Sequence, residues 1–395
     1  HNNSFLIASC VKGQSNMAAG APVGSNHNSR TNDNEAVAGR GFWPGLCTSV
    51  KHSSVFASYV LLSKGAYPAE LNIPLPFSMV SNDEKRGELV VFPAFWWLRN
   101  MYALARNSWK YANRDKRVTK VQNIEFDTYA PDSMEEAIAA RKLLEIWTAK
   151  ALLRSESKDV AQYSERQLRE LGASLLEGRE SVVDSLKVLG EGMEKSSRPV
   201  VIRFPYKAYH AYGDMIIHYA MSNVMSYLQN NQHLSLMDLS SRLKGRRQRE
   251  WVNMGGQLMP EQDVQRLRKD IREGKLSTWK QIHKRYDDIW KRYPKDKLRH
   301  AYLSLCFIFK TKALTEQDWL RAISEEQRIQ DYICSQVRLT RLKDYENPFR
   351  RATYRNEDEM IAAIGTLDDN SFVKQMNSSR EENLALLESL RSRIK

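Results

Sequence analysis

Two rhythms of hydrophobic spacing divide the chain, and one gives way to the other near Pro93. Before that point an apolar residue recurs every six positions, at Phe5, Val11, Met17 and Val23, and again at Val50, Phe56 and Leu62. Four residues after each stands a mostly small or compact one: Ser9, Ser15, Ala21 and His27, then Ser54, Val60 and Ala66. Run backwards, the second register puts Pro44 in the apolar slot and Thr48 in the small one. An inward aliphatic residue every six, with corners that admit only small side chains, predicts a left-handed parallel β-helix over residues 1–93. Residues 29–43 break the period and are polar and glycine-rich, which predicts a loop thrown out of one coil. The opening His1-Asn2-Asn3-Ser4-Phe5 reads as the middle of an ordered element. The β-helix is therefore expected to be truncated, with the natural protein continuing N-terminally.

Beyond Pro93 the apolar spacing is helical. Phe95, Leu98, Tyr102, Ala105 and Trp109 form one stripe, read as a helix over 94–112 that caps the open end of the solenoid, with a linker to residue 130. Residues 131–395 then predict an all-α domain. Its helices are expected near 132–156, 158–190, 206–230, 260–274, 277–293, 296–313, 315–345, 357–365 and 380–394. Asp132 and Ser133 before Glu135-Glu136, and Thr315 with Asp318, are start signals. Pro131, Pro199, Pro205, Pro294 and Pro348 mark breaks. Val200 to Phe204 reads as a short extended piece, and the region from Asp368 to Ser379 as flexible. The expected fold class is α+β in two parts, a left-handed parallel β-helix followed by an all-α domain.

Composition narrows the picture. With 42% apolar and 10% aromatic residues the 395-residue chain can bury real cores, which excludes wholesale disorder. The longest nearly unbroken apolar run, Leu89 to Leu98, contains a proline and is too short to span a bilayer, so no membrane partner is expected. Four widely spaced cysteines, Cys10, Cys47, Cys306 and Cys334, argue against a disulfide scaffold or a zinc cluster, and for a reducing, cytoplasmic setting. No phosphate-binding loop, dinucleotide fingerprint, nucleophile elbow or zinc-protease helix occurs, which removes the corresponding enzyme classes.

Four stretches carry a family resemblance: GSNHNSR (24–30), GRGFWPGLCTSVKHSSVFASYVLL (39–62), YPAELNIPLPFSMVSND (67–83) and NMYALARNSWKYANRDKR (100–117). They resemble an uncharacterised bacterial family, common in Bacteroides relatives and known only as a domain of unknown function. The resemblance implies a hexapeptide-repeat β-helix joined to a helical C-terminal domain, and a weak kinship with hexapeptide acyltransferases. It carries no established activity. By analogy with those acyltransferases it implies a homo-oligomer, and a ligand of the acyl-CoA or sugar-nucleotide type along the β-helix.

Candidate chemistry follows from residue type. Histidine titrates near neutrality and suits a general base, which makes His27 the first catalytic candidate and His52 the second. Arg30 and Arg40 bracket the expected loop and are candidates for holding a small anionic ligand bidentately, with Asn26 and Asn28 supplying amide contacts. His210, Asp214 and His218 recur every four residues on one helix face, a spacing able to gather ligands, although side-chain partners satisfy such a face as readily and no metal site is expected. The net charge of +13 is concentrated. From Arg266 to Arg299 there are 13 Lys/Arg against five acidic residues, interleaved with Trp279, Tyr286, Trp290 and Tyr293. Trp279, Ile282, Tyr286, Ile289 and Tyr293 keep helical spacing and are expected to face the core, which leaves the charges as a solvated face. Without a recognition helix, RNA-binding signature or zinc finger, a nucleic-acid partner is not favoured. The leading expectation is a ligand-binding, acyltransferase-like protein. Its alternative is a scaffold whose basic helical domain binds a protein or nucleic acid.

Overall fold

The computed structural model describes residues 10–21, 23–24 and 35–394. Ten short strands come first: β1 (Val23–Gly24), β2 (Val37–Ala38), β3 (Trp43–Pro44), β4 (Ser49–Lys51), β5 (Val55–Phe56), β6 (Leu61–Leu62), β7 (Ala66–Tyr67), β8 (Asn72–Ile73), β9 (Met79–Asp83) and β10 (Glu88–Phe92). They fall into separate small sheets. Two have three parallel strands each, in the orders β1-β4-β7 and β2-β5-β8. The third is mixed and five-stranded: β3, β6 and β9 run parallel, and β10 turns back antiparallel on β9.

The expected left-handed parallel β-helix, and the hexapeptide repeat behind it, are corrected by this arrangement. The physical reason is that the six-residue period is local. Pro44, Val50, Phe56 and Leu62 are all buried, as the spacing requires. After Leu62 the next inward positions are Tyr67, Ile73 and Val80, at steps of five, six and seven, and Ala66, the expected small inward residue, is exposed. The strands that follow this change of step still pair with those before it, Val50 with Tyr67, Phe56 with Ile73 and Leu62 with Val80, but they form short separate sheets, and the chain reverses direction at the β9–β10 hairpin. Nor is the described part of 29–43 all loop, because it contributes β2 and the start of β3.

The expected capping helix is two: α1 (Phe95–Arg99) and α2 (Met101–Arg114), broken at Asn100, whose φ of −145° and ψ of 49° no helix accommodates. Trp96 fastens α1 to the strands. Its ring stacks on Trp43 at 5.7 Å, and its indole N–H donates to the Tyr59 carbonyl at 2.8 Å.

The helical part continues with α3 (Pro131–Ser155), α4 (Glu165–Glu177) and α5 (Glu180–Asp184), so the single helix expected at 158–190 is interrupted. Then come β11 (Val200–Ile202), α6 (Pro205–Gln229) and α7 (Leu236–Arg242). An antiparallel hairpin, β12 (Trp251–Met254) and β13 (Gln257–Pro260), follows where no strands were expected, so this half is not all-α. The remaining elements are α8 (Glu261–Arg272), α9 (Trp279–Ile308), α10 (Glu316–Glu346), α11 (Pro348–Arg351), α12 (Glu357–Ile364) and α13 (Ser371–Arg391). Helix α9 runs straight through Pro294, and α13 begins inside the segment expected to be flexible, capped by the Asn370 side chain on the N–H groups of Phe372 and Val373. Among the described residues no helix is long and apolar enough to cross a membrane.

One core joins the two halves. It runs from Ala36 through Val91, Trp97 and the helix α6 residues Tyr212 and Met215 to Ile394. Helix α6 is buried nearly all round, as expected of a helix at the centre of a bundle. Strand β11 adds to the five-stranded sheet beside β10, with Leu89 opposite Val200 and Val91 opposite Ile202. Helices α3 and α4 approach so closely at Gly172 that a Cβ there would fall well inside van der Waals contact with the Glu145 carbonyl oxygen. Gly172→Ala is accordingly expected to cost about 1–3 kcal/mol, the range for overpacking, read as a lower midpoint in urea unfolding.

Candidate functional site

The chemistry gathers around residues 125–136, EFDTYAPDSMEE, where the linker enters α3. Pro131 occupies the first helical position, and the Ser133 hydroxyl accepts from the Ala130 N–H at 3.1 Å, which fixes where the helix starts. The acids in the segment meet distant parts of the chain. Arg40 forms a two-pronged pair with Asp132, Nε to Oδ2 at 2.7 Å and Nη2 to Oδ1 at 2.8 Å, and donates to the Asp127 carbonyl at 2.7 Å. Lys297 of α9 donates to Glu125 at 2.9 Å and to Asp127 at 2.5 Å, and the Tyr293 hydroxyl also donates to Glu125. Glu135 pairs with Arg247 at 2.6 Å and accepts from His300 Nε2 at 2.9 Å. Glu136 accepts the Ser58 N–H at 2.8 Å.

Burial sets the protonation states. It works against the Lys297 charge, but Glu125 and Asp127 more than offset it and hold the pKa above the ordinary lysine value. Burial pushes His300 down despite Glu135, which matches a neutral ring whose Nδ1 accepts from the Tyr219 hydroxyl at 2.9 Å. Burial, with repulsion from Asp132, raises Glu136 to about 8.

Above this network lies a cleft of about 360 Å³ between α2, α6, α10 and α13, lined by residues that include Leu104, Asp127, Tyr129, His218, Asn223 and Gln330. Asp127 and Tyr219 belong both to its wall and to the network. His218 is held firmly. Its Nδ1 lies 2.8 Å from Oε1 of Glu326, a residue of α10 with no solvent exposure, and the Gln330 amide donates to the same oxygen at 2.7 Å. The Tyr129 ring meets the imidazole edge-on at 5.3 Å. With a carboxylate accepting at Nδ1, the neutral ring of His218 carries its proton there and has Nε2 as its accepting nitrogen. A histidine whose tautomer is fixed by a buried carboxylate can take a proton from a ligand hydroxyl and return it.

The residues singled out from sequence are distributed as follows. His27, Asn26, Asn28 and Arg30 lie outside the described residues. His52 is buried, 8% exposed, in the turn after β4. Arg40 is 2% exposed and engaged by Asp132 and Asp127. His210, Asp214 and His218 share a face of α6 but do not converge. His210 Nε2 is 2.9 Å from the Leu176 carbonyl, Asp214 pairs with Arg328, and His218 pairs with Glu326. Among the described residues no group of three or more His, Cys, Asp and Glu is placed to hold a metal ion. Glu326 and Gln330 escaped the sequence reading, yet both sit in the apolar register of α10 with Ile323, Ile329 and Ile333, where a polar residue is a signal.

Residues 235–333, from α7 into α10, match a family model described as a domain of unknown function (DUF6819). The chain is 40% identical over 380 residues to an uncharacterized protein of Treponema pallidum (strain Nichols), covering 95% of this chain and 50% of that protein. No solved structure is significantly similar to it. These matches support the sequence resemblance as far as a domain of unknown function. The chain spans about half the length of the curated relative it matches.

Proposed function

We propose that the protein binds a small, neutral, polar molecule of monosaccharide or nucleoside size in the cleft beside His218, and that the His218–Glu326 pair moves a proton at a ligand hydroxyl. What carries the reading is a cleft-lining histidine whose Nδ1 is held by a fully buried glutamate. The volume lies at the small end of the roughly 300–1,000 Å³ typical of ligand sites. Leu104, Ile333 and Tyr129 offer an apolar edge, while Asn223, Gln330 and Asn383 offer amides. Among the described residues the lining contains no lysine or arginine to meet the phosphates of an acyl-CoA or a sugar nucleotide, and Asp127 stands in its wall, which disfavours an anionic ligand. Burying a polar ligand against amides and a fixed imidazole favours hydroxyls over plain hydrocarbon.

Thermal-shift screening against monosaccharides and nucleosides tests this. A ligand at a hundred times its Kd adds about 2.7 kcal/mol of apparent stability. The shift is expected to vanish in His218→Ala and to survive in His233→Ala, whose side chain is exposed and does not line the cleft. A shift that His218→Ala retains, or silence across both ligand classes, would count against the proposal.

A further inference from the structure

The exposed flank of α9 differs from its sequence-based expectation, and the difference has functional content. Trp279 was expected in the core stripe, but it is 75% exposed at the first turn of the helix. His283 and Tyr286 continue the row. Trp279 and His283 centroids are 6.0 Å apart, and His283 stacks on Tyr286 at 6.2 Å with 18° between the planes. Only from Tyr286 and Ile289 onward does this side pack, against Met259 and Val264.

Round the helix from the rings, with Lys280 about 60° from His283 and the exposed Asp287 between them, runs a line of charge. Lys280, Lys284, Lys291, Lys295 and Arg299 are all exposed and follow one another at steps of four, seven, four and four residues. At 3.6 residues per turn these steps fall within an arc of about 100°, and the rise of ~1.5 Å per residue stretches the line over about 28 Å. Among the described residues Lys280, Lys284 and Lys295 have no carboxylate within salt-bridge distance. Lys291 has only Asp288 at 3.9 Å, and Arg299 donates to the Lys244 carbonyl. Arg268 and Arg272 of the adjoining α8 are exposed too.

From this geometry we infer that the α9 flank binds single-stranded nucleic acid, its phosphates along the lysine line and its bases on Trp279 and His283. A solvated charged face needs no row of exposed rings, and burying the indole would return apolar free energy that the fold itself leaves unclaimed. Stacked bases accept such rings without sequence preference, whereas paired bases do not offer their faces. The site is on a different element face from the His218 cleft and does not depend on it.

The test is fluorescence anisotropy of the full chain with labelled 12-mers of oligouridine and oligothymidine, a DNA duplex and an oligoglutamate, from 50 to 200 mM KCl. Binding of the single strands is expected to weaken with a log–log salt slope of about −3.5 for five neutralised phosphates. Trp279→Ala is expected to weaken it about tenfold, and Lys280→Gln/Lys284→Gln to reduce the slope by about 1.4. Both variants change exposed side chains only, and their thermal unfolding serves as the check on folding. The RNA and DNA arms tell which strand is preferred. Absence of single-strand binding at 50 mM salt would overturn the inference, as would duplex bound equally well with no effect of Trp279→Ala. Oligoglutamate bound as tightly and through the same residues would assign the flank to an acidic protein instead.

Discussion

Replacing Arg40 with methionine is expected to destabilise the protein by about 3–5 kcal/mol, the usual consequence of stranding one member of a buried ion pair. The guanidinium is 2% exposed and has four polar partners: both oxygens of Asp132, the Asp127 carbonyl and, at 3.5 Å, the Tyr59 hydroxyl. Burial works against its charge, but Asp132, Tyr59 and Glu125 together outweigh burial and keep its pKa well above the ordinary value. A methionine fills similar volume without a donor, so Asp132 keeps its charge in a place that no longer compensates it. Removing the carboxylate as well, in Arg40→Met/Asp132→Leu, is expected to recover most of the loss, because an apolar pair of similar volume costs little there. Urea unfolding of the four proteins gives the coupling directly. A loss below about 1 kcal/mol in Arg40→Met, or purely additive effects in the double variant, would show that the pair does not hold the strands to α3.

The second large effect is a pH dependence centred on Glu136. Its carboxyl titrates at about 8 in the fold, raised by burial and by Asp132, and opposed by the Ser58 N–H and Arg40. In the unfolded chain it titrates near the ordinary value of 4.5. Between these two values the folded state holds a proton that the unfolded state has released. The stabilisation is therefore complete below about pH 4.5, declines as pH rises, and is lost by about pH 8, on the order of 2–4 kcal/mol in all. Glu136→Gln keeps an acceptor for the Ser58 N–H and removes the ionisation. The variant is expected to match the parent near pH 5 and to be about 2–4 kcal/mol more stable at pH 8. Parallel stability profiles for the two proteins at pH 5, 6.5 and 8 would refute this.

Legibility varied along the chain for physical reasons. Val50, Phe56 and Leu62 were read correctly as inward because side-chain alternation is local information. Whether coils stack on one another is long-range, and the slip at Tyr67 breaks a periodicity that three correct positions had suggested. The β12–β13 hairpin carries its own signal, a Gly255-Gly256 pair between two four-residue runs, within a stretch otherwise dominated by charge. Pro294 was read as a break by a sound local rule, yet burial of Tyr293, Lys297 and Leu298 around it keeps α9 continuous. Trp279 shows the converse: an amphipathic stripe says which side of a helix is apolar, not whether anything lies against it. In the cleft, His218 was noticed and its partner was not, since Glu326 stands 108 residues away and nothing local joins them. The acids of 125–136 are alike in this, with Arg40, Lys297 and His300 arriving from both ends of the chain.

The pairing of β10 with β11 has a consequence for biosynthesis. Between Phe92 and Val200 a translating ribosome adds 108 residues, about 5–20 s of elongation at ~5–20 residues per second. Throughout that interval the Leu89–Val91 edge, apolar and already backed by β9, presents backbone donors and acceptors with no strand to receive them. Such an edge is a template for pairing with another nascent chain. The order in which the polypeptide is made thus leaves an apolar strand edge in the open, and makes the arrival of three residues, Val200 to Ile202, the event that closes it.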